Sequence, residues 1–292
     1  MEGLSLNTVI HVENLQKSYG QNHVLKGISF SVEKGEVFAL LGTNGAGKTT
    51  ALECLEGIRS YDTGIIKIQG KVGVQLQSSS LTKNIKVMEA IRLFSKWNGV
   101  AIDMKYLERL GVAQLKNKRH GELSTGQKRR LHLVLAMIGN PDIVFLDEPT
   151  AGLDVEGRVT LHDEIRLMKS QGKTIIMASH DMAEVEELCD RIAILKDGEI
   201  AFIGTANELT EHMQGVHRIQ IRFSEPLEMT QLVYCIYKNE ERGYSVFETD
   251  SLEDCLLELA SLAKKQSNPI RDIKIENTTI EQRFIDIARE GR

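Results

Sequence analysis

The run GTNGAGKTT, Gly42–Thr50, constrains this chain more than any other stretch. It satisfies the spacing G-x-x-x-x-G-K-[ST] and follows the continuous apolar segment EVFALLG. It leads into KTTALECLEGI, where Thr50, Cys54 and Ile58 stand at helical spacing with Leu52 and Leu55 beside them. Strand, glycine loop and helix in that order form the context in which backbone N–H groups close round a triphosphate. Gly42, Thr43, Asn44, Gly45, Ala46 and Gly47 then make the cradle, and Thr50 completes the nucleotide-binding run. Lys48 reaches the β and γ phosphates, and the Thr49 hydroxyl is a ligand for Mg2+.

A second anchor, DIVFLDEPT, spans Asp142–Thr150. An apolar strand ending in Asp147 delivers a carboxylate to the same Mg2+ at the C-terminal edge of a parallel sheet, and Glu148 beside it can polarise an attacking water as general base. The strand KTIIMASH follows, separated by the helical stretch VEGRVTLHDEIRLMKSQG, so the sheet is expected to be parallel with a right-handed crossover. Upstream of the loop, VIHVENLQKSYG and HVLKGISFSVEKGE alternate with a period near two and read as antiparallel strands. Residues from about 81 to 137 carry apolar positions three and four apart and read as helical.

The stretch GELSTGQKRRLHLVL places a second glycine-bearing helix start about eighty residues after the first, where one nucleotide would need only one such anion site. Its LSTGQ resembles the signature of ATP-binding cassette (ABC) proteins, usually LSGGQ, with Thr125 as the one departure and Ser124 and Gly126 intact. Other positions resemble the same family in the required order, from Val9 to about Gly204. Tyr19 in KSYG matches the aromatic that stacks on adenine, AGLD with Asp154 matches the D-loop, and His180 in MASHD matches the switch histidine. Gln77 in VGVQLQSSS matches the residue that contacts Mg2+ and water; Gln75 is the competing register, and the glycine four residues before Gln77 favours the latter.

The resemblance implies an α/β P-loop NTPase of ABC type: a RecA-like core, an antiparallel β layer and a helical subdomain over about 81–137. It implies catalytic roles for Lys48, Gln77, Glu148 and His180, and Mg2+ ligation by Thr49, Gln77 and Asp147. In this family two cassettes pack head to tail. Ser124, Thr125, Gly126, Gln127 and Asp154 would therefore act on the ATP held by the other chain. All site residues are present, which favours a homodimer.

Residues 1–215 are read as the nucleotide-binding domain and 216–292 as a small α/β accessory domain. In the latter, VHRIQIRF, YSVFE and IRDIKIE alternate as strands, while LEMTQLVYCIYKN, SLEDCLLELASLAKKQ and TIEQRFIDIARE read as helices. The tail, with ILKDGEIAFIGTANEL before it, resembles ATP-binding subunits of bacterial ABC-2 type exporters. That implies a separate membrane permease, a groove for its cytoplasmic helix in the helical segment after Gln77, and a place on the cytoplasmic face of the membrane. The alternative is a soluble ABC ATPase acting as a mechanical or regulatory module. The net charge of −5 argues against a nucleic-acid partner, and Lys128-Arg129-Arg130 is read as a solvated helix face. The four cysteines lack metal spacing, the start MEGLSLNTVIHVEN lacks the features of a secretory signal, and no apolar run is long enough to span a bilayer.

Overall fold

A computed structural model describes residues 7–75, 81–211, 217–227, 232–276 and 284. The chain divides into two compact units, Met1–Thr205 and Ala206–Arg292.

In the first unit, β1 (Thr8–Tyr19), β2 (Asn22–Glu33) and β4 (Thr63–Ile68) form an antiparallel sheet with β1 in the middle. Between them in sequence lie β3 (Val37–Gly42) and α1 (Lys48–Leu55). The second sheet adds β5 (Val72–Gln75), β6 (Ile143–Asp147), β7 (Thr174–Ala178), β8 (Arg191–Lys196) and β9 (Glu199–Gly204), in the order β5-β6-β7-β3-β8-β9. All neighbours are parallel except β9. Strands β3, β6 and β7 are buried at every residue, the signature of a parallel sheet covered on both faces.

The core joins the layers. Ile10, Leu15, Leu25 and Ile28 of the antiparallel sheet meet Phe38, Leu40, Phe145 and Ile176 of the parallel one, with Leu52 and Leu55 of α1. Phe30 and Phe38 stack across that junction at 5.3 Å between ring centres. The helix α1 is shorter than its apolar spacing suggests. It stops at Leu55, Gly57 takes φ 73°, and Ile58 is exposed.

The helical segment holds α2 (Val87–Asn98), α3 (Met104–Arg109) and α4 (Thr125–Met137), and α5 (Val155–Ser170) and α6 (Met182–Leu188) follow in the core. No helix among the described residues is long and apolar enough to cross a membrane.

The second unit begins with α7 (Ala206–Glu211) and holds a four-stranded antiparallel sheet. Its strands β10 (His217–Phe223), β11 (Ile236–Glu241), β12 (Tyr244–Thr249) and β13 (Ile270–Glu276) run in the order β11-β12-β10-β13. Cys255 and Leu259 of α8 (Leu252–Lys265) pack on Ile219, Ile221 and Phe247. Helix was expected through LEMTQLVYCIYKN, yet Ile236–Glu241 is a strand. Arg242 and Gly243 both take positive φ, 51° and 78°, which makes a tight hairpin turn that pairs this segment with β12. Of the expected final helix, Phe284 is described and is helical, while Ile280 and Ile287 lie outside the described residues.

Candidate nucleotide site

The glycine loop lies where β3 hands over to α1, at the C-terminal edge of the parallel sheet. Gly47 takes φ 107°, and a Cβ there would stand 3.0 Å from both Leu25 Cδ2 and the Val24 carbonyl, so the loop has no room for a side chain at that corner. Thr43, Asn44 and Gly45 face solvent, whereas Gly42, Ala46 and Gly47 are buried. The Lys48 ammonium donates to the carbonyls of Gly42 at 2.7 Å and Thr43 at 3.3 Å, which holds it inside the loop. Burial lowers its pKa, while the charges of Glu148 and Asp147 oppose that shift.

Asp147, at the end of β6, accepts a hydrogen bond from the Thr49 hydroxyl at 3.4 Å. Burial raises the Asp147 carboxyl above its ordinary value, and neighbouring Glu148 adds to the shift, against Thr49, Arg129 and Lys48. A hydroxyl and a carboxylate facing each other are the hard oxygen donors that Mg2+ takes. Glu56, at the end of α1, is a further carboxyl in this field. Burial, with the charges of Asp147 and Glu53, pushes it up to about 7.

Glu148 sits in the turn after β6 with φ 50°, a conformation unusual for any residue but glycine, and its N–H donates to the Ala178 carbonyl at 3.0 Å. His180 follows β7. Its Nδ1 lies 2.6 Å from Glu148 Oε2, with the histidine 64% exposed and the glutamate 13%. The pair thus stands at the mouth of the site with the carboxylate inward. Tyr19, at the end of β1, is 42% exposed, and Lys17 and Arg59 each bring a positive charge to its ring, at 5.4 and 5.3 Å.

The second glycine-bearing loop is elsewhere on the same unit. Ser124 caps α4, its Oγ accepting from the Gln127 N–H at 3.3 Å while Gln127 Oε1 accepts from the Ser124 N–H at 3.2 Å. Asp154 caps α5 through the Gly157 N–H at 2.8 Å. Ser124, Thr125, Gly126 and Asp154 line one cleft of about 540 Å³, with Arg129 and Arg130 behind them. Lys48, Thr49, Asp147, Glu148 and His180 therefore meet in one place and Ser124–Gly126 with Asp154 in another.

Gln77 lies outside the described residues. The competing Gln75 ends β5 fully buried, its Nε2 donating to the Arg129 carbonyl at 3.1 Å. The run Lys128-Arg129-Arg130 is not the solvated face its charges suggest. All three residues are half-buried, and the Arg129 guanidinium donates to the Asp147 carbonyl at 3.3 Å. Glu184 also escaped notice in the sequence, where it is one of several acids in MAEVEEL; burial and hydrogen bonding set it apart.

Residues 25–151 match the protein-family model described as ABC transporter. An uncharacterized ABC transporter ATP-binding protein of Methanocaldococcus jannaschii is 37% identical over 260 residues, covering 85% of this chain and 98% of that protein. The Nod factor export ATP-binding protein I of Burkholderia orbicola is 36% identical over 250 residues, covering 80% and 82%. The linearmycin resistance ATP-binding protein of Bacillus subtilis is 33% identical over 234 residues, covering 74% and 75%. Among solved structures, an ATP-binding subunit of an ABC transporter superposes with a TM-score of 0.66 at 25% identity, over 70% of this chain and 92% of that one. A dimeric bacterial ABC transporter cassette shares the fold, with a TM-score of 0.61 at 24% identity over 67% and 98%.

Proposed function

The chain belongs to the ABC transporter family of ATP-binding proteins, and we propose that it is the ATP-hydrolysing subunit of an exporter, working as a homodimer that closes round two ATP molecules. The observation that carries the reading is the His180–Glu148 pair at 2.6 Å, beside Asp147, Thr49 and Lys48.

Lys48 holds the β and γ phosphates as a buried point charge, and the loop Gly42–Gly47 wraps them with main-chain N–H groups. Thr49 and Asp147 would hold Mg2+, which supplies charge neutralisation on the phosphate oxygens. Glu148 accepts the proton of the attacking water, and His180 fixes the carboxylate that does so. Gln77 is proposed to complete the metal and water contacts. Tyr19 offers its ring to adenine. The cleft at Ser124, Thr125, Gly126 and Asp154, with Gln127 next to it, lies apart from Lys48, which suits a role on the second chain's nucleotide.

Two relatives carry export or resistance in their names, which supports outward transport through a separate permease. On α2, Leu93 and Trp97 are 54% and 81% exposed, apolar surface suited to a permease's cytoplasmic helix. The chain would then sit on the cytoplasmic face of the membrane, held there by its partner. Residues 216–292 are proposed as an accessory domain.

Glu148→Gln tests the reading. The amide fills the same space yet cannot take the proton, so turnover should fall by roughly 10²–10⁴ while ATP binding persists. Gel filtration with ATP and Mg2+ should then show an accumulated dimer. A monomer that hydrolyses ATP at the wild-type rate would remove the role given to Glu148.

A further inference from the structure

We propose that Glu184 is a positioning residue for hydrolysis: its buried carboxylate ties together the two turns that carry Glu148 and His180. The proposal rests on the ATPase reading above and assigns Glu184 no contact with nucleotide.

One oxygen makes the tie. Glu184 Oε2 accepts the Thr150 hydroxyl at 3.1 Å and the Ser179 hydroxyl at 2.7 Å. Thr150 lies two residues beyond Glu148, and Ser179 immediately precedes His180. All three partners are buried: Glu184 is 3% exposed, Thr150 5% and Ser179 2%. Thr150 follows β6 and Ser179 follows β7, so the bond pair bridges neighbouring strand ends of the parallel sheet.

The start of α6 is built to aim this carboxylate. Asp181 caps the helix, accepting from the N–H groups of Ala183 at 3.1 Å and Glu184 at 3.3 Å, while the Asp181 N–H donates to Ser179 Oγ at 3.1 Å. Ser179 thus donates to Glu184 and accepts from the same turn. On the far side, His162 of α5 brings Nε2 to 3.7 Å from Glu184 Oε1, and its Nδ1 lies 3.1 Å from Glu187 Oε2. A carboxylate taken out of water stays only where its lone pairs are used or a cation stands near. Here Oε2 is held by the turns that carry Glu148 and His180, while Oε1 makes no hydrogen bond among the described residues and has His162 beside it.

The need for such a tie is local. Glu148 holds φ 50°, a backbone state that persists only where the surroundings over-determine it. The His180–Glu148 contact closes across two separate loops, and His180 is 64% exposed, so little packing restrains the imidazole itself. Positions fixed within about half an ångström are what a general base requires, and a buried supporting hydrogen bond is the usual means.

The test uses the full chain, with Glu184→Ala and Glu184→Gln made in the wild-type and His180→Ala backgrounds. Glu184→Ala should lower kcat by roughly tenfold or more and leave the KM for ATP within about twofold, the mark of an interaction used at the reacting centre rather than in binding. Glu184→Gln should recover most of kcat, because its amide oxygen still accepts both hydroxyls. In the His180→Ala background Glu184→Ala should add little further loss, since residues acting as a unit are non-additive. A second readout needs no turnover. The 15N shifts of the His180 ring in the nucleotide-free chain should report Nδ1 held to a carboxylate in wild type and Glu184→Gln, and should lose that signature in Glu184→Ala.

Wild-type kcat in Glu184→Ala, a KM effect without a kcat effect, or a fully additive loss with His180→Ala would overturn the proposal. If the wild-type chain hydrolyses no ATP the ATPase reading falls, and the ring shifts alone then decide whether Glu184 holds the pair. Should Glu184→Ala not fold, Thr150→Val combined with Ser179→Ala removes both donors and carries the same expectations.

Discussion

Arg129 and Asp147 connect α4 to the end of β6 within one chain: the Arg129 guanidinium donates to the Asp147 main-chain carbonyl at 3.3 Å. The Arg129 carbonyl in turn accepts from Gln75 Nε2 at 3.1 Å, so α4, β5 and β6 meet at one residue. Burial lowers the Arg129 pKa, and the charges of Asp147 and Glu148 oppose that shift. Arg129→Met keeps the bulk and removes the donor. It should cost about 1.5–3 kcal/mol of folding stability, the range for hydrogen bonds to charged groups. Urea unfolding of both proteins measures it, and equal midpoints would show that the bond contributes nothing.

Ser124 has a structural task besides its proposed action on a second chain, because its Oγ caps α4. A plain Ser124→Ala change would confuse the two, as loss of a cap costs about 0.5–2 kcal/mol by itself. Asp caps as well as Ser but turns a carboxylate towards an incoming triphosphate. Ser124→Asp should therefore unfold like wild type, bind ATP and fail to hydrolyse it. Mixing an excess of it with Lys48→Ala forms dimers with one site intact and one doubly damaged, and hydrolysis should exceed that of either variant alone. A Ser124→Asp chain that cannot bind ATP would mean that the loop serves its own nucleotide.

The legible parts of the site were those where chemistry demands fixed spacing. The loop Gly42–Thr50, Asp147 with Glu148, and His180 all stand at ends of buried strands, and an apolar run followed by polar residues marks such ends without any tertiary knowledge. Arg129 was misread because three successive basic residues look like a solvated surface, and only packing reveals that its guanidinium turns back to the Asp147 carbonyl. Glu184 was invisible for a similar reason: its partners Thr150 and Ser179 are 34 and 5 residues away, and no local pattern encodes that convergence. The strand Ile236–Glu241 read as helix because Leu232, Cys235 and Ile236 also satisfy a helical spacing; pairing across Arg242 and Gly243 decides the matter.

Tyr19 presents a ring with cations nearby, Lys17 at 5.4 Å and Arg59 at 5.3 Å. Tyr19→Ala should weaken ATP binding by about 1–3 kcal/mol, by analogy with stacking of bases on aromatic side chains. Stacking reads the face of a purine and ignores its edge, so GTP should compete with ATP. Titration of both nucleotides into wild type and variant checks this. An ATP preference of several hundredfold would point to an edge contact made by another residue.

The last expectation concerns pH. His120 and His132 stack at 5.6 Å between ring centres with 18° between planes, and their Nε2 atoms are 3.4 Å apart. Burial, with His120, Arg129 and Lys128 adding repulsion, lowers the His132 pKa from 6.5 to about 4, and burial with Lys128 lowers that of His120. A histidine depressed in the folded state binds its proton more readily when unfolded. Between pH 6.5 and about 4 the unfolded chain therefore holds more protons, so stability is complete above pH 6.5 and falls as pH drops through that window. At about 1.4 kcal/mol for each pH unit, His132 accounts for a loss of at most about 3.5 kcal/mol. His132→Gln keeps a polar side chain of similar reach and removes the titration. Urea midpoints at pH 7.5 and 4.5 should then differ more in the wild-type protein than in the variant, because the carboxylates common to both cancel in the comparison. Since α4 carries His132 and is capped by Ser124, the same acidification should loosen α4 first, seen as faster amide exchange along Thr125–Met137. Equal loss of stability in the two proteins would show that the histidine pair is not what acid attacks.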